Sequence, residues 1–200
     1  RPIPGAHATR LQRVYVNHHS AFDWRDLAWF RDRAASFDYL VGERYGVMAF
    51  RAGPNADAER IHTSYVTRGF FPGLGVHMAL GRAFNVDEAK HGTDEPVAVL
   101  GYSFWQRRFA GDSSVIGRRI AIGDHALVVT GVAGADFRSS VMTWVPDVFL
   151  PFSMAASLTG QRLEDFGGSF YATARLAHGV TTASATAELR GLMAQLARTD

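Results

Sequence analysis

The stretch PVAVLGYSFWQRRFAGDSSVIGRRI, from Pro96 to Ile120, restricts the fold more than any other part of the chain. Its first half contains a short continuous apolar run, Val97 to Leu100, which favours a buried strand. Tyr102 to Phe109 then has the spacing of a short helix, and a turn leads to the β-prone run RRIAI. Because strand, helix and strand follow each other so closely, the chain requires a mixed fold of helices and sheet.

The remaining sequence adds more strands than helices. Gly123-Asp124 is a two-residue turn signal between RRIAI and HALVVTGVA (125–133), and it predicts a β-hairpin. The segment FFPGLGVHMALGRAF (70–84) is interpreted as a glycine-rich connector. Further strands are predicted at RLQRVYVNH (10–18), DYLVGERYGVMAFRAG (38–53), AERIHTSYVTRGFF (58–71), PDVFLP (146–151) and SFYATARLA (169–177).

Two helices of ordinary length lie towards the two ends of the chain. The first is predicted over AFDWRDLAWFRDRAASF (21–37), with Asp23 as its N-cap. The second is predicted over GVTTASATAELRGLMAQLART (179–199), with Thr181 or Thr182 as its N-cap and an apolar stripe along one side. This order predicts an α+β fold with one lobe formed by both chain ends and a strand-rich lobe inserted between them. The predicted bounds are about 10–68 plus 168–198 for the first lobe and about 69–167 for the inserted lobe.

The composition is that of a globular protein and excludes several kinds of site. Hydrophobic residues make up 47% and charged residues 20% of the 200 residues, so a folded domain is expected and not disorder. The formal net charge is +2 with both signs interspersed, which argues against nucleic acid as a partner. Because the chain has no cysteine, disulfides, thiolate nucleophiles and thiolate zinc sites are excluded.

The ends of the chain suggest a piece of a longer or processed protein. No apolar run approaches the ~20 residues that a membrane-spanning helix needs, and no signal-peptide pattern is present. The chain begins with Arg1 instead of methionine. We expect a final strand of the first lobe to be missing or to lie beyond Asp200.

The polar residues do not form a recognisable catalytic or metal-binding motif. His18 and His19 lie close to Asp23, but neighbouring residues of a strand point to opposite faces, so a polar strand end is favoured over a metal site. The GLG at 73–75 lacks the spacing of a phosphate loop. Three serines in the central stretch lack the G-x-S-x-G context of a serine nucleophile: Ser103, Ser113 and Ser114.

Two other groups are explained better by structure than by chemistry. The aromatic residues of the central helix lie at helical spacing, which favours core packing over ligand stacking. The ionisable residues of the loop after residue 84 have no apolar neighbours that would raise a carboxyl pKa, so a solvated loop is favoured over a catalytic pair. The aromatic residues are Tyr102, Phe104, Trp105 and Phe109, and the loop residues are Asp87, Glu88, Lys90, His91, Asp94 and Glu95. We therefore assign no catalytic, cofactor-binding or metal-binding residue, and the substrate-binding residues are not identified.

Four stretches, in this order, resemble the periplasmic core domain of MacB-like ABC transporter permeases. They are VTRGFFPGLGVHMALGRAF (66–84), PVAVLGYSFWQRRFAGDSSVIGRRIAIGDHALVVTGVA (96–133), PDVFLPFS (146–153) and ATARLAHGVTTASATAELRGLMAQLA (172–197). The resemblance covers about residues 60–198 well and the first sixty residues in outline. Gly69 stands where relatives often carry a polar residue, and His178 stands where proline is common.

The resemblance implies a porter-like split βαβ lobe with an inserted, sabre-like lobe, within a non-enzymatic extracytoplasmic domain of an ABC-type efflux or export permease. The implied role is substrate handling and mechanical coupling to a cytoplasmic ATPase, without a cofactor. The implied partners are the flanking transmembrane helices, a cytoplasmic ATP-binding subunit or domain, and a second permease copy in a dimer. The implied location is the periplasmic or extracytoplasmic face of the bacterial inner membrane.

Two alternatives stay open on the sequence. A free-standing periplasmic module would bind a peptide or glycan through its aromatic residues. A small α+β enzyme would place its site around His18, His19 and the loop from Asp87 to Glu95.

Overall fold

The structure is a computed structural model that describes residues 3–14, 21–53, 56–85, 87–88, 95–141, 144–162, 165 and 170–198. The strands are β1 (Leu11–Arg13), β2 (Ala21–Phe22), β3 (Phe37–Arg51), β4 (Glu59–Val66), β5 (Met78–Gly81), β6 (Val97–Leu100), β7 (Arg119–Ile122), β8 (His125–Ala133), β9 (Val148–Pro151) and β10 (Phe170–Leu176). The helices are α1 (Trp24–Arg33), α2 (Phe70–Leu74), α3 (Tyr102–Phe109), α4 (Ala155–Thr159) and α5 (Thr182–Leu196). The predicted α+β class is confirmed.

The described strands form one mixed sheet of ten strands in the order β1-β10-β3-β4-β9-β6-β8-β5, with β2 beside β10 and β7 between β3 and β8. The β4–β9 and β6–β8 pairs are parallel, whereas the β3–β4 and β3–β10 pairs are antiparallel. Strands from the two ends of the chain therefore lie together in one half of the sheet. The lobe boundaries at 10–68, 69–167 and 168–198 stay a prediction.

Most predicted elements form close to the predicted positions, and three segments differ, one of them because α4 (Ala155–Thr159) forms where no element is predicted. The first helix begins only at Trp24, because Ala21–Phe22 pairs with β10, and it ends at Arg33, before β3 begins at Phe37. The connector at 70–84 contains α2 and β5. Gly69 and Gly75, with φ of 77° and 67°, let the chain enter and leave this single helical turn in a left-handed conformation that other residues rarely adopt.

Local sequence signals explain why the other elements begin where they do. The central stretch folds as β6, α3 and β7, and Gly123, with φ of 58°, turns the chain from β7 into β8. Thr181 is the N-cap of α5. Its hydroxyl accepts a hydrogen bond from the amide of Ser184, and its own amide donates to the Ser184 hydroxyl, which completes a capping box. Within the described ranges, no helix is long and apolar enough to cross a membrane.

Apolar side chains cover both faces of the sheet. On one face, α1, α3 and α5 pack over the strands, and the predicted aromatic residues Phe104, Trp105 and Phe109 are buried there. On the other face, α2 and the segment after β8 form a second cluster. Its main members are Ile3, Val41, Val66, Phe70, Phe71, Leu74, Val99, Phe137 and Phe149. Because the centre of the sheet is buried on both faces, any ionisable group there must find hydrogen-bond partners within the protein.

Candidate functional site

One carboxylate, that of Glu43, lies fully buried at the centre of β3. Its Oε1 accepts hydrogen bonds from the hydroxyls of Ser64, at 2.7 Å, and Ser139, at 2.9 Å. Its Oε2 accepts from the backbone amide of Ser140 at 2.8 Å and from the Ser140 hydroxyl at 2.5 Å. We call these four residues the Glu43 clamp, because they fasten the segment after β8 to the sheet.

The clamp forms because two strands and one loop meet on the same face. Val66 is the residue paired with Glu43, so Ser64, two positions earlier in β4, points to the same face. The loop is guided to this place by Phe137, whose ring stacks on that of Phe149 with 5.8 Å between centroids. The side chain of Arg13 donates to the carbonyl oxygen of Ser140 and holds the loop from the β1 side.

The clamp is suited to fixing structure and not to catalysis. Glu43 and Ser64 have no exposed surface, and Ser139 and Ser140 are 2% and 1% exposed, so a substrate does not reach any of these groups. Burial raises the pKa of the Glu43 carboxyl, while the hydrogen bonds from Ser140, Ser64 and Ser139 oppose this shift by stabilising the charged form. No described residue forms an ion pair with Glu43.

The raised pKa of Glu43 predicts how the stability of the domain depends on pH. A carboxyl whose pKa is raised on folding contributes stability that is complete below its usual pKa of 4.5 and is lost as the pH rises through the folded-state pKa. We expect the difference in unfolding free energy, wild type minus Glu43→Gln, to fall as the pH is raised from about 4.5. Urea denaturation of both proteins across a pH series measures this difference.

The control for this measurement is Glu88→Gln. The hydrogen bonds from Arg82 lower the pKa of Glu88, so its contribution is present above its usual pKa of 4.5 and is lost as the pH falls below that value. The wild-type-minus-Gln difference at Glu88 therefore rises with pH below about 4.5 and stays flat above it, where the difference at Glu43 falls. A wild-type-minus-Gln difference at Glu43 that stays constant or grows with pH would contradict the assignment of Glu43 as the group with a raised pKa.

An aromatic surface lies beside the clamp on the same face of the sheet. The hydroxyls of Tyr45 and Tyr171 are 3.0 Å apart, and their rings stack with 5.5 Å between centroids. The ring of Trp144 lies 4.8 Å from that of Tyr45 and 4.5 Å from that of His62. The Trp144 indole also donates to the carbonyl oxygen of Thr63 at 3.3 Å, which fixes its orientation. We call Tyr45, His62, Trp144 and Tyr171 the Trp144 surface.

The Trp144 surface is accessible to a partner, unlike the clamp. Tyr45 is 40% exposed, and the neighbouring Val47 and Val145 are 43% and 39% exposed. A contiguous group of exposed aromatic and aliphatic side chains is typical of a contact site. Stacked rings with polar edges suit an apolar or amphipathic ligand, because the faces contribute area and the edges contribute hydrogen bonds. The Trp144 surface can therefore bind an apolar or amphipathic ligand, and it is the candidate functional site of the domain.

The residues considered from the sequence are not brought into this site. His18, His19, Lys90, His91 and Asp94 lie outside the described residues. Asp23 precedes α1, and Asp87 and Glu95 are exposed. Within the described part of the chain, no group of three histidine or carboxylate side chains is arranged to hold a metal ion.

Glu88 corrects the expectation that the loop carboxylates are solvated. It is only 8% exposed, and its carboxylate accepts two hydrogen bonds from the guanidinium of Arg82, at 2.7 and 2.8 Å. The amide of Asn85 donates to the same carboxylate at 2.8 Å. Arg82 precedes the loop after residue 84, so the sequence of that loop does not predict the pairing of Glu88 with Arg82 or the burial of Glu88.

The Glu43 clamp and the Trp144 surface are not predicted from the sequence. The only local signal was a glutamate that follows the apolar residues Leu40 and Val41 in a predicted strand. Trp144 lies in a loop between two predicted strands and is half-buried. A tryptophan in such a loop is itself a signal for contact.

The chain is similar to known proteins at the level of family and of fold. The family described as MacB-like periplasmic core domain matches residues 3–192. The fold is similar to that of the periplasmic region of MacB from Actinobacillus actinomycetemcomitans, with a TM-score of 0.67, 15% identity, and coverage of 93% of this chain and 82% of that one. It is also similar to the extracellular domain of the noncanonic ABC-type transporter YknZ from Gram-positive bacteria, with a TM-score of 0.59, 13% identity, and coverage of 86% and 83%. No curated protein matches the chain significantly.

Proposed function

This chain belongs to the family of MacB-like periplasmic core domains of ABC-type permeases, and from that premise we propose that it is a non-enzymatic domain that handles substrate and couples mechanically to a cytoplasmic ATPase. In this proposal it acts in an efflux or export permease at the extracytoplasmic face of the bacterial inner membrane. Its partners are the transmembrane helices of the same permease, an ATP-binding subunit or domain, and a second copy of the permease.

The observation that carries the coupling proposal is the length and pairing of β3. A strand of 15 residues rising about 3.3 Å per residue extends over roughly 50 Å. At one end it pairs with β10, in its middle with β4, and at its other end with β7. A continuous strand in a hydrogen-bonded sheet is stiff, so a displacement of the chain-end strands moves β7 with them. We take 10–68 with 168–198 as the driven lobe and 69–167 as the lobe that it moves.

The substrate-handling proposal rests on the Trp144 surface. It lies on the side of β3 and β4 that neither α1 nor α5 covers, and it combines exposed and half-buried aromatic rings with the exposed aliphatic side chains of Val47 and Val145. An apolar or amphipathic substrate would exchange water for these side chains on binding. The clamp supports this role because it fixes Ser139 and Ser140, which lie shortly before Trp144 in the same loop.

The test uses the complete permease with its ATP-binding partner in lipid nanodiscs. Because this chain contains no cysteine, a cysteine in place of the exposed Ala49 gives one labelling site within the domain. We expect the spin–spin distance between the two copies to change when ATP is added, since dimerisation of the ATPase would be transmitted to the domains. Pulsed electron paramagnetic resonance measures this distance.

Two controls separate coupling from other effects. The same sample with an ATPase that cannot bind ATP should keep the distance seen without nucleotide. In the same preparation, Trp144→Ala should reduce the stimulation of ATP hydrolysis by transported compounds, whereas Ile116→Ala, at an exposed apolar residue elsewhere, should not. Identical distance distributions with and without ATP would contradict mechanical coupling.

A further inference from the structure

The first five residues of β3 have a strand neighbour on only one side within the described part of the chain. On that side β3 pairs with β10, and this pairing includes Tyr39 with Arg175 and Val41 with Thr173. On the other side, β4 pairs with β3 only as far as Glu43, and the chain then turns away towards α2. Beyond the end of β4, the edge of β3 from Phe37 to Val41 therefore lacks a second strand among the described residues. Leu40 and Val41 are 5% and 1% exposed because their side chains lie in the core, so it is the backbone edge that is unpaired.

The hydrogen bonds of Gly42 show which backbone groups face this open edge. Its amide donates to Thr67 Oγ1 at 2.8 Å, and its carbonyl oxygen accepts from the amide of Thr67 at 3.0 Å. Both polar groups of Gly42 thus face away from β10. Because the direction of these groups alternates along an antiparallel strand, the N–H and C=O of Leu40 face the same way. Leu40 presents one donor and one acceptor in the arrangement that an added strand requires.

The open edge forms one wall of a groove of about 480 Å³. Asp38, Tyr39 and Leu40 line it on the β3 side, and Arg68 and Pro72 line it on the side of α2. The volume lies within the range of ligand-binding clefts in proteins. The ring of Tyr39 packs against Gly69 and Gly73. A Cβ atom added at either glycine would lie only 3.2 Å or 3.0 Å from this ring, so the groove is tightly packed between Tyr39 and the α2 segment.

The groove carries a surplus of positive charge. Arg31 and Arg68 line it, and Asp38 is the lining carboxylate. Arg31 already pairs with Asp32 at 3.0 Å, so Arg68 carries the surplus. Asp38 already contacts Arg10, at 3.4 Å, and Arg175, at 3.9 Å, so it is neutralised from outside the groove. Arg68 is exposed and forms no ion pair with a described residue. A ligand with carboxylates is therefore favoured over a cationic one.

From these observations we propose that the groove binds an extended acidic peptide segment of another protein, which adds as a strand to the Leu40 edge and places a carboxylate against Arg68. The open strand edge selects a peptide backbone, because a small anion accepts from the Leu40 amide but cannot donate to the Leu40 carbonyl oxygen, whereas a peptide strand does both. The flanking charges also explain how the edge avoids pairing with copies of itself: charged residues next to an open edge discourage such pairing.

The probe for this proposal is the peptide acetyl-Glu-Val-Glu-Val-Glu-amide, added to the isolated ¹⁵N-labelled domain. We expect its addition to shift the amide resonance of Leu40, and we expect binding to weaken as salt is added. The matched peptide with lysine in place of glutamate should not bind. The glutamate peptide with every backbone amide N-methylated keeps its charges but cannot donate, and it should also fail to shift the Leu40 resonance.

A variant pair tests the contribution of Arg68. Arg68→Glu should raise the dissociation constant of the glutamate peptide about tenfold, because a favourable charge becomes a repulsive one. Arg119→Glu makes the same change at an exposed residue of β7, away from the groove, and should leave the dissociation constant unchanged. Both residues are exposed, so neither change affects the core. Absence of a Leu40 shift, equal binding of the N-methylated peptide, or equal effects of the two variants would each overturn the proposal.

Discussion

We expect the Glu43→Ala variant to lose about 3 kcal/mol of unfolding free energy, because the substitution removes the acceptor for four buried donors at once. The amide and hydroxyl of Ser140 and the hydroxyls of Ser64 and Ser139 then lie in the interior without their partner. The substitution also removes the cost of burying the carboxylate. The expected loss of unfolding free energy is therefore smaller than the sum of the four hydrogen bonds to the charged group. Chemical denaturation of the isolated domain at neutral pH measures the effect.

The matched control is Glu59→Ala. Glu59 is 44% exposed and pairs with Arg108 at 2.9 Å, so this change removes a carboxylate from a surface salt bridge and should cost less than about 1 kcal/mol. Equal losses for the two variants would mean that the Glu43 clamp does not stabilise the fold.

The second large effect is expected for Phe149→Ala, which should lower the unfolding free energy by about 4 kcal/mol. Phe149 is 1% exposed in β9, and its ring lies 5.3 Å from that of Phe71 and 5.8 Å from that of Phe137. Removal of the ring leaves a cavity between the sheet, α2 and the loop that carries the clamp. Phe149→Leu keeps most of the volume and should cost roughly 1.5 kcal/mol or less.

The Phe149 variant also tests whether the core and the clamp are coupled. Phe137 packs on Phe149 and guides the loop to Glu43, so the losses in Glu43→Ala and Phe149→Ala should not add in the double variant. Fully additive losses, or a Phe149→Ala cost no greater than that of Ile116→Ala at the surface, would contradict the packing described for this face.

Helices and strands whose formation depends on residues close in the sequence are predicted well. The β6–α3–β7 unit and the β7–β8 hairpin follow from an apolar run, an aromatic helix spacing and the Gly123 turn, all of which act over a few residues. The N-cap of α5 followed from a threonine before a helical pattern. Where prediction failed, as at Ala21–Phe22, pairing with the distant strand β10 overrode the local preference.

The candidate site could not be predicted in the same way. Ser139 and Ser140 are 96 and 97 positions from Glu43, and Trp144 contacts side chains of two strands that precede it by many residues. Neither arrangement leaves a spacing in the sequence that a motif would capture. The open edge of β3 depends on where β4 leaves the sheet, which is likewise a property of the assembled strands.

The sequence by itself determined the order of strands and helices, the apolar side of each element and the resemblance to a family, because these depend on periodicity and on short runs of residues. The tertiary structure alone decided which ionisable groups are buried and which aromatic residues are exposed. Glu43 and Glu88 are buried because donors from other segments meet them, and Tyr45 is exposed because no helix covers its end of the sheet. The cost of burying a polar group depends on partners brought from far along the chain, and that information exists only once the chain has folded.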